Sequence, residues 1–167
     1  MEKKYSREYP QKIVEVSQVK RQVNYYVWEV QEDELNSIWE IFIETSGSEW
    51  YPIEDSFRDD HKYGYYSIEL PYLQWSRDGI INAIIRDKYR IDEMEAITNN
   101  MAAITAVFMQ TLVSDGIIAA TKYLKDSIND DNTKRFKEMQ EWRAMAKKVA
   151  SEIIKEWESW YFVCIGG

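Results

Sequence analysis

The sequence predicts an α+β protein, a small β-containing N-terminal part with one helix packed on a C-terminal bundle of long helices. Three observations predict it. Residues 13–28 and 63–70 are rich in β-branched and aromatic residues, which favour strands. Residues 32–45 switch to helical spacing, with Leu35, Ile38, Trp39, Phe42 and Ile43 on one face. From residue 72 onward apolar residues recur in steps of three and four almost to the end.

Taken in order, residues 1–12 are polar and charged, with Pro10, and read as a mobile arm or an extended clasp. Strand character follows. Glu32, Asp33 and Glu34 open the first helix, where the helix dipole favours acids, and Gly47 is placed to end it. Pro52 and Gly64 punctuate a strand-and-loop stretch in which YGYYSIEL is the best strand. Pro71 starts a new element. Tyr72, Trp75, Ile80, Ile81, Ile84 and Ile85 are expected on one helical face, and Asp92 is expected to cap the next helix with Glu95 as its reciprocal partner. Gly116 interrupts or thins that helix. SINDDNT at 127–133 is a turn by composition. The last helix carries Phe136, Met139, Trp142, Ala146, Val149, Ile153 and Trp157. The closing WYFVCIGG breaks from the stripe and reads as a strand or as a tail lodged in a neighbouring subunit. The expected division is 1–70 (arm and small α/β part) and 71–167 (helical bundle with an apolar tail), together one compact unit.

The charge pattern excludes some functions and invites another. The net charge is −8, and an acidic surface repels phosphate backbones, so nucleic acid is not expected as a partner. Residues 1–22 are basic on balance while 31–60 are strongly acidic, with Arg58 their one base. Such an arm and such a segment attract each other between copies; the plainer reading is solvated charge. Cys164 is the single cysteine, which precludes an intramolecular disulfide. No unbroken apolar run approaches a membrane span, so no membrane is expected either. The basic start lacks the apolar core of a signal peptide, and an intracellular product, or a particle assembled in a cell, is expected.

Catalytic patterns are sparse. His61 is the sole histidine and lies beside Asp59 and Asp60; an Asp-His pair can orient a general base, but no serine elbow or placed cysteine accompanies it. One His and one Cys do not make a zinc site. Glu54, Asp55, Asp59 and Asp60 lack the spacing and glycine of a calcium loop. The six glycines form no phosphate-binding pattern. No catalytic, cofactor or metal residues are therefore assigned, and a non-enzymatic role is expected.

The stretch IIRDKYRIDEMEAITNN supplies a charge pattern with a structural use. Arg86 and Lys88 close one helix, where cations suit the carbonyl end; Asp92, Glu93 and Glu95 open the next, where anions suit the amide end. Tyr89 and Ile91 are expected to pack across the joint. The stretch also resembles a pattern in short tailed-bacteriophage proteins: an apolar helix, then I-R-x-K-Y-S, then an acidic helix opening E-x-A-I. FKEMQEWRAMAKKVASEI at 136–153 resembles the helix that follows in them. The chain departs from the pattern at Arg90, where serine is usual, and in the insert at 101–130. The resemblance implies a virion or assembly component, of tail or capsid, found in the virion or in host cytoplasm during assembly. It implies no catalytic residues.

The expected function is self-association and docking to other virion proteins. Lys3, Lys4, Tyr5, Arg7 and Tyr9 of the arm and Trp160, Tyr161 and Phe162 of the tail are the expected contacts, because large amphipathic side chains favour interfaces. The alternatives are a small cytosolic binding module or chaperone for another phage protein, and an enzyme using His61.

Overall fold

A computed structural model describes residues 1–47 and 52–165, with the side chains of 160–165 excepted. Four strands, β1 (Lys3–Ser6), β2 (Ile13–Ser17), β3 (Lys20–Glu29) and β4 (Tyr63–Pro71), form one antiparallel sheet in the order β1-β4-β3-β2. Between β3 and β4 lie α1 (Glu32–Ser46) and the short α2 (Asp55–Asp60); four helices follow, α3 (Arg77–Lys88), α4 (Ile91–Ser114), α5 (Gly116–Ile128) and α6 (Asp131–Ile165). The fold is α+β, with the sheet N-terminal and the long helices C-terminal. Two compact units divide the chain, Met1–Trp75 and Ser76–Gly167.

In the first unit Val23, Tyr25, Ile68 and Leu70 are buried on the central strands, and Leu35 is buried on α1. One extra residue in β3 breaks the register between Tyr25 and Trp28. Tyr26 there takes φ +52°, a left-handed conformation that costs a non-glycine residue about 1–2 kcal/mol. Its ring stacks on Tyr66, 5.9 Å away. Gly47 ends α1 at φ +64°, its N–H donating to the Ile43 carbonyl, as the sequence indicates.

Of the two expectations for the N-terminal residues, a mobile arm or an extended clasp, the structure has an extended segment: Lys3–Ser6 is an edge strand of the chain's own sheet. Residues 11 and 12 are tethered as well: buried Asn24 donates from Nδ2 to the Gln11 carbonyl (2.7 Å) and from its backbone N–H to the Lys12 carbonyl (2.9 Å). β1 is seated on β4 and residues 11 and 12 on Asn24 of β3, and alternation alone reveals neither.

In the second unit α3 packs on α6, and α4 packs on both α5 and α6. Ile80, Ile81, Ile84 and Ile85 of α3 meet Met139, Trp142, Ala146, Ala150 and Ile153 of α6 as the buried core. Ser76 caps α3, its Oγ accepting from the Gly79 N–H at 3.0 Å. Tyr72 and Trp75 are not on this helix. They lie in and beside a 3-10 turn at 72–74, where the Arg21 guanidinium sits over both rings, at 4.2 and 4.9 Å.

Four local expectations need correction. Asp92 does not cap α4; the helix begins at Ile91, and Asp92 accepts from Arg90 Nε at 3.1 Å. Ile91 does not pack across the joint but is 54% exposed, while Tyr89 is buried. The turn at 127–133 shrinks to residues 129 and 130, because α6 already starts at Asp131. The backbone of WYFVCIGG is not a strand as far as Ile165, since α6 runs through it; Gly166 and Gly167 lie outside the described residues. Apolar clustering misled there, because a short apolar run fits helix and strand equally.

Candidate interaction surface

The expected arm contacts fall into two kinds. Lys3 and Tyr5 alternate onto one face of β1 and converge on Glu34 of α1. Glu34 Oε1 accepts from Lys3 Nζ at 2.7 Å and from the Tyr5 hydroxyl at 3.2 Å, and Oε2 accepts from Trp28 Nε1 at 2.9 Å. Burial pushes the Glu34 carboxyl up, but the hydrogen bonds from Lys3 and Trp28 outweigh it and hold it below the usual range. Trp28 reaches Glu34 by lying across Gly64: a Cβ there would come within 2.3 Å of the indole. Arg7 donates to Asp60 at 2.9 Å. The basic N-terminus and the acidic segment thus meet within one chain, where the sequence offered solvated charge or a clasp between copies. Lys4 is half-buried on β1 opposite Tyr65, and Tyr9 is 63% exposed with its ring edge-on to Tyr63. The side chains of Trp160, Tyr161 and Phe162 lie outside the described residues.

His61 is built into the same region. Its ring stacks on Phe57 at 4.0 Å and leans on Tyr5 at 5.2 Å, with Nδ1 2.8 Å from the Phe57 carbonyl. Phe57 continues the cluster to Trp39 and Phe42 of α1. Asp60, the carboxylate expected beside the imidazole, is held by Arg7 instead. Among the described residues no three His, Cys, Asp or Glu side chains are grouped to hold a metal ion.

The largest surface that the sequence reading missed is on α4 and α5. Of the described part of α4 only Ile97 is buried, and of α5 only Ala120. Val107, Met109, Val113, Ile117, Ile118, Leu124 and Ile128 are 40% to 85% exposed, Val113 and Ile118 most of all. The outward stripe of α4 is Asn99, Ala102, Ala106, Met109 and Val113; that of α5 is Ile117, Thr121, Leu124 and Ile128. Between Ala96 and Ser114 there is no charged residue on any face. A water-exposed helix normally carries charge opposite its apolar stripe. Among the described residues α4 is also the one helix long and apolar enough to cross a membrane, and it is almost wholly exposed rather than a buried core helix. The sequence reading sought an unbroken apolar run and so passed over it; the signal was the missing charge, with Asn, Thr and Gln scattered among apolar residues.

The elbow between these helices is Gly116, at φ +83° with open space around its Cα. Asn100 Nδ2 donates to Asn132 Oδ1 at 3.0 Å and ties α4 to the start of α6. Arg135 of α6 donates to Glu93 at 2.8 Å. The base of the α4–α5 hairpin is fixed and its apolar surface is presented to solvent. No known protein family, curated protein or solved structure matches the chain.

Proposed function

We propose that this is a non-enzymatic assembly protein that works by self-association and docking. The single observation that carries the reading is the bare apolar surface of α4 and α5, without charge from Ala96 to Ser114, since burying such a surface is favourable by roughly 25 cal/mol per Å² before association costs. The resemblance of residues 80–153 to tailed-phage proteins supports a virion or tail-assembly setting, with other copies and other virion proteins as partners. Weight moves away from the N-terminal arm, because Lys3, Tyr5 and Arg7 already have partners in the same chain.

The test is the solution mass of the purified protein by light scattering at low and high salt. A defined oligomer that survives high salt is expected, because apolar contacts are not screened as ion pairs are. An oligomer that dissociates in salt would return the weight to a charged clasp. A monomer at both salts and at tens of micromolar would replace self-association by the binding-module reading.

A further inference from the structure

The pattern along α4 fits one occupant in particular. We infer that the α4 stripe pairs with the same stripe of a second copy, antiparallel, about a two-fold axis between Val107 and Phe108. The inference rests on the self-association reading and adds to it the surface, the orientation and the register.

The argument is one of self-complementary shape. The exposed stripe steps through 102, 106, 109 and 113, the alternating four-three spacing of a helix seam. Its N-terminal half is small, Ala102 and Ala106; its C-terminal half is bulky, Met109 at 52% and Val113 at 85% exposure. Turned end for end about that axis, Ala102 of one copy faces Val113 of the other, and Ala106 faces Met109. Large side chains meet hollows at each step, and an isologous contact makes every such match twice. A parallel pairing sets alanine on alanine and valine on valine, leaving gaps at one end and crowding at the other.

Charge agrees with a second copy. A chain of net charge −8 repels its own copy except through a face without acids, and the stripe has none. The acids that open α4, Asp92 and Glu95, fall beyond the second copy's elbow in this register, and Asn99 falls beside that elbow, where its amide can donate to the Asp115 carboxylate. A bilayer fits less well. Inserting the hairpin takes Asp115, at the elbow, into hydrocarbon together with Asn99 and Gln110, and polar groups there are costly.

The test uses the full chain with Cys164→Ser. Ala102→Cys and Val113→Cys proteins, distinguishably tagged, are oxidised with oxidised glutathione, separately and mixed. Mixed samples are expected to give a disulfide-linked heterodimer at least tenfold in excess of the homodimer from either protein alone, because like positions lie about 16 Å apart along the axis in this register. Ala106→Glu with Val113→Glu is expected to halve the solution mass of a wild-type dimer while leaving the helical circular dichroism signal unchanged. Equal cross-linking of like positions would overturn the register. An oligomer that persists in the double glutamate variant would overturn the surface while leaving self-association standing. A monomeric wild-type protein would remove both. Flotation of wild-type protein with neutral phosphatidylcholine vesicles, abolished by the same two glutamates, would overturn the second copy in favour of a bilayer.

Discussion

Glu34 joins three strand residues to one helix, and its hydrogen bonds set two expectations. Replacing it by alanine leaves the Trp28 indole N–H and the Lys3 ammonium without their acceptor; a loss of about 2 kcal/mol at neutral pH is expected, read by urea unfolding. The folded carboxyl titrates below the ordinary glutamate value, so its contribution is full above about pH 4.5 and fades as pH falls through the lower folded value. The gap between wild type and Glu34→Ala is therefore expected to close on acidification below pH 4.5, not on alkalinisation. Gly64 tests the same contact from beneath. The Cβ of Gly64→Ala meets a ring rather than a flexible chain end, and a cost of about 1–3 kcal/mol is expected, with Trp28 fluorescence shifted as the indole leaves Glu34.

The α4–α5 hairpin is defined by its elbow. Gly116 takes a backbone conformation closed to most side chains, although space around it is open. Gly116→Ala is expected to lower stability by about 1 kcal/mol through strain alone, while Gly116→Asn, which tolerates that conformation better, is expected to lower it less; thermal unfolding separates them. At the other joint Lys88 lies 4.3 Å from the centre of the Trp142 ring, and the Trp142 N–H donates to the Ile84 carbonyl at 3.2 Å. The cation closing α3 thus suits the helix dipole and also covers the core of the α3–α6 contact. Ala146 and Ala150, both fully buried, allow α6 to approach closely. Ala146→Leu is expected to cost about 1–3 kcal/mol by overpacking, measured by urea unfolding.

Long-range ion pairs occur in both units, Lys3–Glu34, Arg7–Asp60 and Arg58–Glu32 within the first and Arg135–Glu93 within the second, while the bare stripe of α4 lies within the second. Exposed pairs are worth little each and weaken with salt. Raising the ionic strength is therefore expected to lower the unfolding midpoint of the first unit slightly and to leave the solution mass unchanged. The Ala106→Glu and Val113→Glu changes are expected to do the reverse.

Element type was legible in the residues themselves. Period-two runs became β3 and β4, and three-four steps became α1, α3, α4 and α6, because each spacing places apolar atoms on one side of only one kind of backbone. Gly47 and the sorted charges at 86–95 were legible too, since helix ends impose their chemistry locally. Which apolar faces find partners was not. α3 buries its isoleucine face against α6, whereas α4 is apolar on more than one side, and the side of Ala102, Ala106, Met109 and Val113 is left bare while that of Ile97 is covered. The path of residues 1–12 was equally beyond local reading. An edge of β4 and a carboxylate of α1, tens of residues away, turned a charged arm into a strand. Periodicity is a property of neighbours in the chain, whereas burial and pairing belong to neighbours in space, and only the folded structure decides those.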